Sequence, residues 1–335
     1  MKNIIISIVA LLFLIIGIKI FTFSGETEFA KKNMADINKA ATLPVPKRIY
    51  SVSSPKVPVS LSFCGEPVPL DTFYVYEQLD RELLINMYWH SQTLMLFKRA
   101  NRWLPLIEPI LKEEGIPDDF KYLALVESNL QNVTSPAGAK GFWQLMRKTA
   151  VLYGLEVNRE VDERYHVEKA TKAACKYLKE AYKQFGNWTM AAASYNMGMG
   201  GLNNRMSQQK ANSYYDLLLN DETARYVYRA LAIKLIFESP KKYGFYLRES
   251  DLYPPMRYHI IKVNSKVKSW VDFAKEQGIN YKMLKELNPW LRTRSLSNPY
   301  GRTYQIKIAD KEMLHYHDLR SAMSDKPGIF GDNNQ

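Results

Sequence analysis

From Val75 to Phe237 apolar residues recur at the spacing of a helix, and hardly any strand-like alternation interrupts them. Leu79, Leu83, Met87 and His90 form one stripe, which Leu94, Phe97, Trp103, Leu106 and Ile110 continue. Gly115 ends the run. Pro117, Asp118 and Asp119 then read as a helix start, because proline is tolerated in the first turn and acids favour the positive end of the helix. The pattern predicts an all-α domain with an N-terminal helical extension over 64–245. The character then changes. Tyr258 to Val263 and Thr303 to Ile308 are strand-like, and Val267 to Gln277 and Tyr281 to Leu287 read as two short helices between them. That order predicts a small β-α-α-β module over 256–310, followed by a polar tail over 311–335. The fold class is therefore mainly α.

The N-terminus carries a location. Lys2 precedes an apolar run from Ile4 to Ile18, with Lys19 and Ile20 to Phe23 beyond it. Residues 1–23 read equally as a cleaved signal peptide and as a signal anchor held in a membrane through 4–23. Both readings export the rest of the chain. Residues 24–63, with Pro44, Pro46, Pro55 and Pro58, read as a linker. The formal net charge of +12 attracts polyanions of any kind, and association with a cytoplasmic or outer membrane is compatible with it. Lys and Arg form no compact run, and an exported chain does not meet nucleic acid, so no nucleic-acid partner is expected. The two cysteines, Cys64 and Cys175, form no CxxC pair, and the five histidines lack the spacing of a metal site, so no metal is expected.

Four segments carry chemistry. In Tyr122 to Ser128, the residues Phe120, Leu123, Ala124 and Glu127 share one helical face, and the helix is apolar on nearly every side. Positions one turn from Glu127 are Leu123, Ala124, Leu130 and Gln131, none of them cationic. A carboxyl there is expected to hold its proton near neutrality, as a glycosidic general acid must, unless a distant Arg pairs with it. The stretch Ser135 to Met146 contains Gly138 and Gly141, which permit close backbone approach, with Trp143 and Gln144 suited to a sugar. Alone it also fits a turn leading into a helix. Ala191 to Gly198 places Tyr195 and Asn196 at a helix end, where Asn is often only a cap. Glu222 to Val227 places Tyr226 at helical spacing, where a core role is equally natural.

Taken together and in order, the four segments resemble the lytic transglycosylases of the soluble transglycosylase type, a branch of the lysozyme-like fold. The family's Glu-Ser pair matches Glu127-Ser128, its Ser-Pro-x-Gly-Ala-x-Gly-x-x-Gln matches Ser135 to Gln144, its Tyr-Asn-x-Gly matches Tyr195 to Gly198, and its Glu-Thr-x-x-Tyr matches Glu222 to Tyr226. Gly115 to Phe120 looks like the membrane-bound lytic murein transglycosylase D group. Phe142-Trp143 and Met197 depart from the usual residues at their places. The module after Tyr258 resembles LysM through Lys262-Val263 and Leu284 to Asn288, with Asn264-Ser265-Lys266 in place of the usual Gly-Asp-Thr. Such a copy fits sugar binding or mere packing.

The resemblance implies cleavage of the MurNAc-GlcNAc β-1,4 bond of peptidoglycan glycan strands in the cell envelope, forming a 1,6-anhydro-MurNAc end without any cofactor. Glu127 is then the single catalytic acid and base. Ser135 bonds the substrate, Gln144, Asn196 and Tyr226 orient the sugars or Glu127, and Met146 and Tyr195 shape the pocket. A hydrolytic muramidase on the same fold and a non-catalytic peptidoglycan-binding protein are the alternatives.

Overall fold

The computed structural model describes residues 52–316, and of these residues 54–316 belong to one compact unit. The signal or anchor expected over 1–23, most of the linker and most of the tail lie outside the described residues. Among the described residues no helix is long and apolar enough to cross a membrane.

Among the described residues the body is built from eight α-helices: α1 (Phe73–Tyr88), α2 (His90–Glu113), α3 (Lys121–Ser128), α4 (Arg147–Leu152), α5 (Val167–Phe185), α6 (Trp188–Met197), α7 (Met199–Gln209) and α8 (Asp221–Glu238). The long stripe expected from Val75 onward is split at Trp89, whose backbone leaves the helical region between α1 and α2. Within α2, Leu96, Phe97, Ala100, Leu104, Ile107 and Leu111 bury one face at helical spacing, although Pro105 and Pro109 each remove a backbone donor. Phe97 stacks on Phe237 of α8 with ring centroids 4.2 Å apart. Helix α8 is the central element, with α1, α3 and α6 packed along it. Its burial is nearly all round, from Tyr226 through Phe237. Asn220 caps it by accepting from the Thr223 N–H at 2.9 Å.

The end of the expected linker meets this body. A two-residue hairpin, β1 (Ser62–Phe63) and β2 (Glu66–Pro67), turns through Cys64 and Gly65. Phe63 is fully buried against Phe120, and the Glu66 carboxylate accepts the backbone N–H groups of Trp188 (2.5 Å) and Thr189 (2.9 Å) at the start of α6. One buried Phe in a Pro-rich stretch leaves no periodic signal, so this anchoring is invisible in the sequence pattern.

The C-terminal module is the expected β-α-α-β unit: β3 (Tyr258–Val263), α9 (Trp270–Glu276), α10 (Tyr281–Leu287) and β4 (Tyr304–Ala309). The strands pair antiparallel from Tyr258↔Ala309 to Val263↔Tyr304. The first short helix starts later than expected because Ser269 caps it, accepting from the Asp272 N–H. Trp270, Leu284, Trp290, Ile306 and Ile308 form its core, and Val161 and Tyr165 of the helical body belong to the same cluster. The Asp162 N–H donates to the Trp290 carbonyl (2.9 Å), and the Arg292 N–H to the Glu160 carbonyl (2.7 Å). Arg302 pairs with Glu156 at 2.8 Å, and Lys307 pairs with Glu168. The module is therefore packed onto the body rather than tethered to it.

Candidate active site

Helix α3 ends abruptly one residue after Glu127. Asn129 and Leu130 both take left-handed backbone angles, φ 53° each. Asn tolerates that region, whereas a buried Leu there is strained. The turn throws the chain away from the helix and leaves Glu127 at its open end. Ser128 fixes the arrangement, its Oγ donating to the Phe142 carbonyl at 2.8 Å. The loop from Ser135 to Met146 is thereby tied to the helix that carries the acid.

That loop is held from the other side by Arg164. Its guanidinium pairs with Asp162 at 2.7 Å and donates to the carbonyls of Gly138 (3.2 Å) and Leu145 (3.3 Å). Gly141 is required where it stands. Its φ is +78°, and an added Cβ would lie 1.9 Å from the Arg164 carbonyl oxygen.

Glu127 is half-buried. Burial pushes its pKa up to about 7. The Tyr226 hydroxyl, which donates to Oε1 at 2.5 Å, and the Arg229 charge pull it down, and the Glu222 charge adds to the rise. Burial outweighs both opposing effects. The Arg229 cation acts on the carboxyl by its charge, and burial still keeps the pKa above the usual carboxylate range. The Arg229 guanidinium also donates to the Val126 carbonyl at 3.2 Å.

The other expected residues fall into two groups. Tyr226 is buried and bonds Glu127 directly. Tyr195 donates to the Trp143 carbonyl at 2.8 Å, and its own phenol is pushed well up by burial and by the Glu127 charge, which places it beside the acid. Asn196 ties the end of α6 to the start of α8, accepting from the Thr223 hydroxyl (2.7 Å) and donating to Glu222 (3.2 Å). Gln144 is turned onto its own loop, with φ +43° and its amide donating to the Gly141 carbonyl at 2.7 Å. Ser135 likewise accepts from the Ala139 N–H at 3.1 Å and closes the loop's turn. Met146 is 45 % exposed where α4 begins and makes no polar contact with the acid. Arg229 and the electrostatic part of Glu222 were missed. Both lie one turn from Tyr226 on α8, a spacing the sequence does display.

Comparison with known proteins bears on the family. Residues 106–218 match the family described as Transglycosylase SLT domain, and residues 259–312 match the Soluble lytic transglycosylase C-terminal LysM-like domain. The chain is 32 % identical over 183 residues to the membrane-bound lytic murein transglycosylase D of Escherichia coli K12. It matches the protein of the same name from Escherichia coli O6:H1 to the same extent. These alignments cover 53 % of this chain and 40 % of each relative, so the chain spans under half the length of the curated relatives it matches. Among solved structures, the 70 kDa soluble lytic transglycosylase of Escherichia coli aligns with 24 % identity and a TM-score of 0.34, covering 39 % of this chain and 23 % of that one. The chain carries an SLT transglycosylase domain and a LysM-like C-terminal domain, and it is homologous to the lytic murein transglycosylase D proteins.

Proposed function

We propose that this SLT domain makes the chain a peptidoglycan lytic transglycosylase, a lyase acting on the MurNAc-GlcNAc β-1,4 bond, with Glu127 as both acid and base. The carrying observation is the half-buried Glu127 carboxyl, raised to about 7 and bonded by Tyr226. A group titrating there is a competent proton donor near neutrality and, once it has donated, a competent acceptor. Glu127 gives its proton to the glycosidic oxygen, and the bond to C1 of MurNAc breaks. The neighbouring acetamido group of the same sugar supports the cationic C1. The Glu127 carboxylate then takes the proton of the C6 hydroxyl as O6 bonds to C1. The acid is regenerated, no water is consumed, and the new end is a 1,6-anhydro sugar.

In this reading Tyr226 holds the reacting oxygen of Glu127 in place. Asn196 and Glu222 brace the opposite wall, and Tyr195 packs beside the acid. The Gln144 Oε1, whose amide nitrogen is engaged by the loop, is the face left for a sugar donor. Ser135 and the exposed Met146, at the two ends of the same loop, help shape the groove that takes the strand. The name of the relatives, membrane-bound and murein-directed, supports an envelope location with the N-terminal segment as signal or anchor.

Glu222 favours one competing reading. Its charge reaches Glu127, and ordinary glycosidases use two carboxylates flanking the bond. A muramidase would employ Glu222 to activate water. Digestion of purified sacculi with the wild type, Glu127→Gln and Glu222→Gln decides between them. Anhydromuropeptides lost only in Glu127→Gln support the transglycosylase. Products heavier by one water, lost in both variants, support hydrolysis, and sacculi bound without any soluble product support a purely binding protein.

A further inference from the structure

The corner between α1 and α2 precedes the matched SLT segment and presents an unusual side chain. Trp89 is held on both sides: its N–H donates to the Ile85 carbonyl (2.9 Å), and its carbonyl accepts from the Thr93 N–H (3.1 Å). The Thr93 hydroxyl in turn donates to the Asn86 carbonyl at 2.6 Å. The backbone is thus fixed, yet Trp89 is 59 % exposed. A large apolar ring left in water on a fixed backbone corner is a feature of binding surfaces more than of stability.

Beside it opens a cavity of about 490 Å³, within the range of small-ligand sites. Trp89 and Gln92 line one side, Val126 and Asn129 at the end of α3 another, and Glu222 and Arg229 of α8 a third. Glu222 and Arg229 are the groups whose charges act on Glu127, so this cavity adjoins the proposed reaction centre. Its buried Glu82 is neutralised by Arg225 at 2.6 Å, and with Asp221, Glu222 and Arg229 also in the lining the carboxylates outnumber the guanidiniums. The lining therefore holds no surplus cation to select a carboxylate. An aromatic face with amide and carboxylate hydrogen-bonding groups around it suits a neutral polyhydroxylated ring.

We propose that this cavity is an additional sugar subsite, in which Trp89 stacks on the pyranose face of an N-acetylhexosamine along the same strand from the bond cleaved. Gln92 and Asn129 then bond its hydroxyl and acetamido groups. The proposal rests on the glycan-cleaving reading above. Its consequence is that the helical extension adds binding energy only to strands long enough to reach the corner.

The test compares wild type, Trp89→Ala and Trp89→Phe on peptide-free glycan oligomers of increasing length and on sacculi. In the wild type, kcat/KM is expected to climb with length. In Trp89→Ala the ratio of long-strand to short-strand kcat/KM is expected to fall about tenfold, which is about 1.4 kcal/mol, and Trp89→Phe should recover most of it. Melting temperatures confirm that the exposed substitution leaves the fold intact. An active wild type whose length dependence survives in Trp89→Ala overturns the subsite alone. A loss confined to peptide-bearing strands also overturns it, by assigning the cavity to stem peptides. No cleavage by the wild type at any length refutes the glycan-cleaving reading itself.

Discussion

Replacing Glu127 with Gln has a consequence for stability that is separate from catalysis. The carboxyl has an ordinary pKa of 4.5 in the unfolded chain and about 7 in the folded one. It therefore binds its proton more tightly when folded, and its favourable contribution is complete only below the unfolded value. That contribution declines as pH rises and is gone above the folded value. A tenfold change in proton affinity is about 1.4 kcal/mol, so the interval corresponds to a loss of about 3 kcal/mol. Gln has no proton to lose. The stability of Glu127→Gln minus that of the wild type should climb by about 2 to 3 kcal/mol between about pH 5 and pH 8. Titrations elsewhere in the chain are common to both proteins and cancel in that difference. Urea denaturation of both proteins at a series of pH values measures it. A flat difference, or one that falls with pH, would mean that Arg229 and Tyr226 dominate over burial and that Glu127 rests ionised, which refutes the reasoning.

Other outcomes follow from the same geometry. In Tyr226→Phe the hydrogen bond that lowers the Glu127 pKa is gone. The alkaline limb of the kcat/KM pH profile should move to higher pH, and a limb that stays or moves down contradicts the assignment. Gly141→Ala forces a side chain into the Arg164 carbonyl at a positive φ. It should cost about 3 kcal/mol or more and lower the melting temperature by roughly 10 °C in calorimetry. Arg225→Met leaves Glu82, 1 % exposed, without its cation. Urea unfolding at neutral pH should show a loss of about 3 kcal/mol, largely recovered by adding Glu82→Gln.

Much of the site is legible because it is local. The apolar surroundings of Glu127 follow from residues within one turn of it, and of these Leu123, Ala124 and Leu130 are buried in the structure. The Glu222, Tyr226 and Arg229 face of α8 is equally local, although the sequence reading took only Tyr226 from it. What escaped depends on contacts between distant segments. The Arg229 charge reaches Glu127 across a hundred residues of chain, and nothing beside Glu127 announces it. The α1–α2 corner is hidden because Leu83, Met87 and His90 keep helical spacing across Trp89, where the backbone breaks. The packing of the module is hidden for the same reason. Val161 and Leu291 bridge segments that each look ordinary alone. Gln144 reads as a free sugar ligand because its residue type suits one, but the positive φ that folds its amide onto Gly141 is a property of the closed loop.

The most direct test of Glu127 as the sole acid and base of an intramolecular transfer is the mass of the products released from purified sacculi. Wild-type protein is expected to release muropeptides ending in 1,6-anhydro-MurNAc, Glu222→Gln to release the same species, and Glu127→Gln to release at least about 100-fold less. Reducing-end products heavier by one water, or undiminished release by Glu127→Gln, would contradict it.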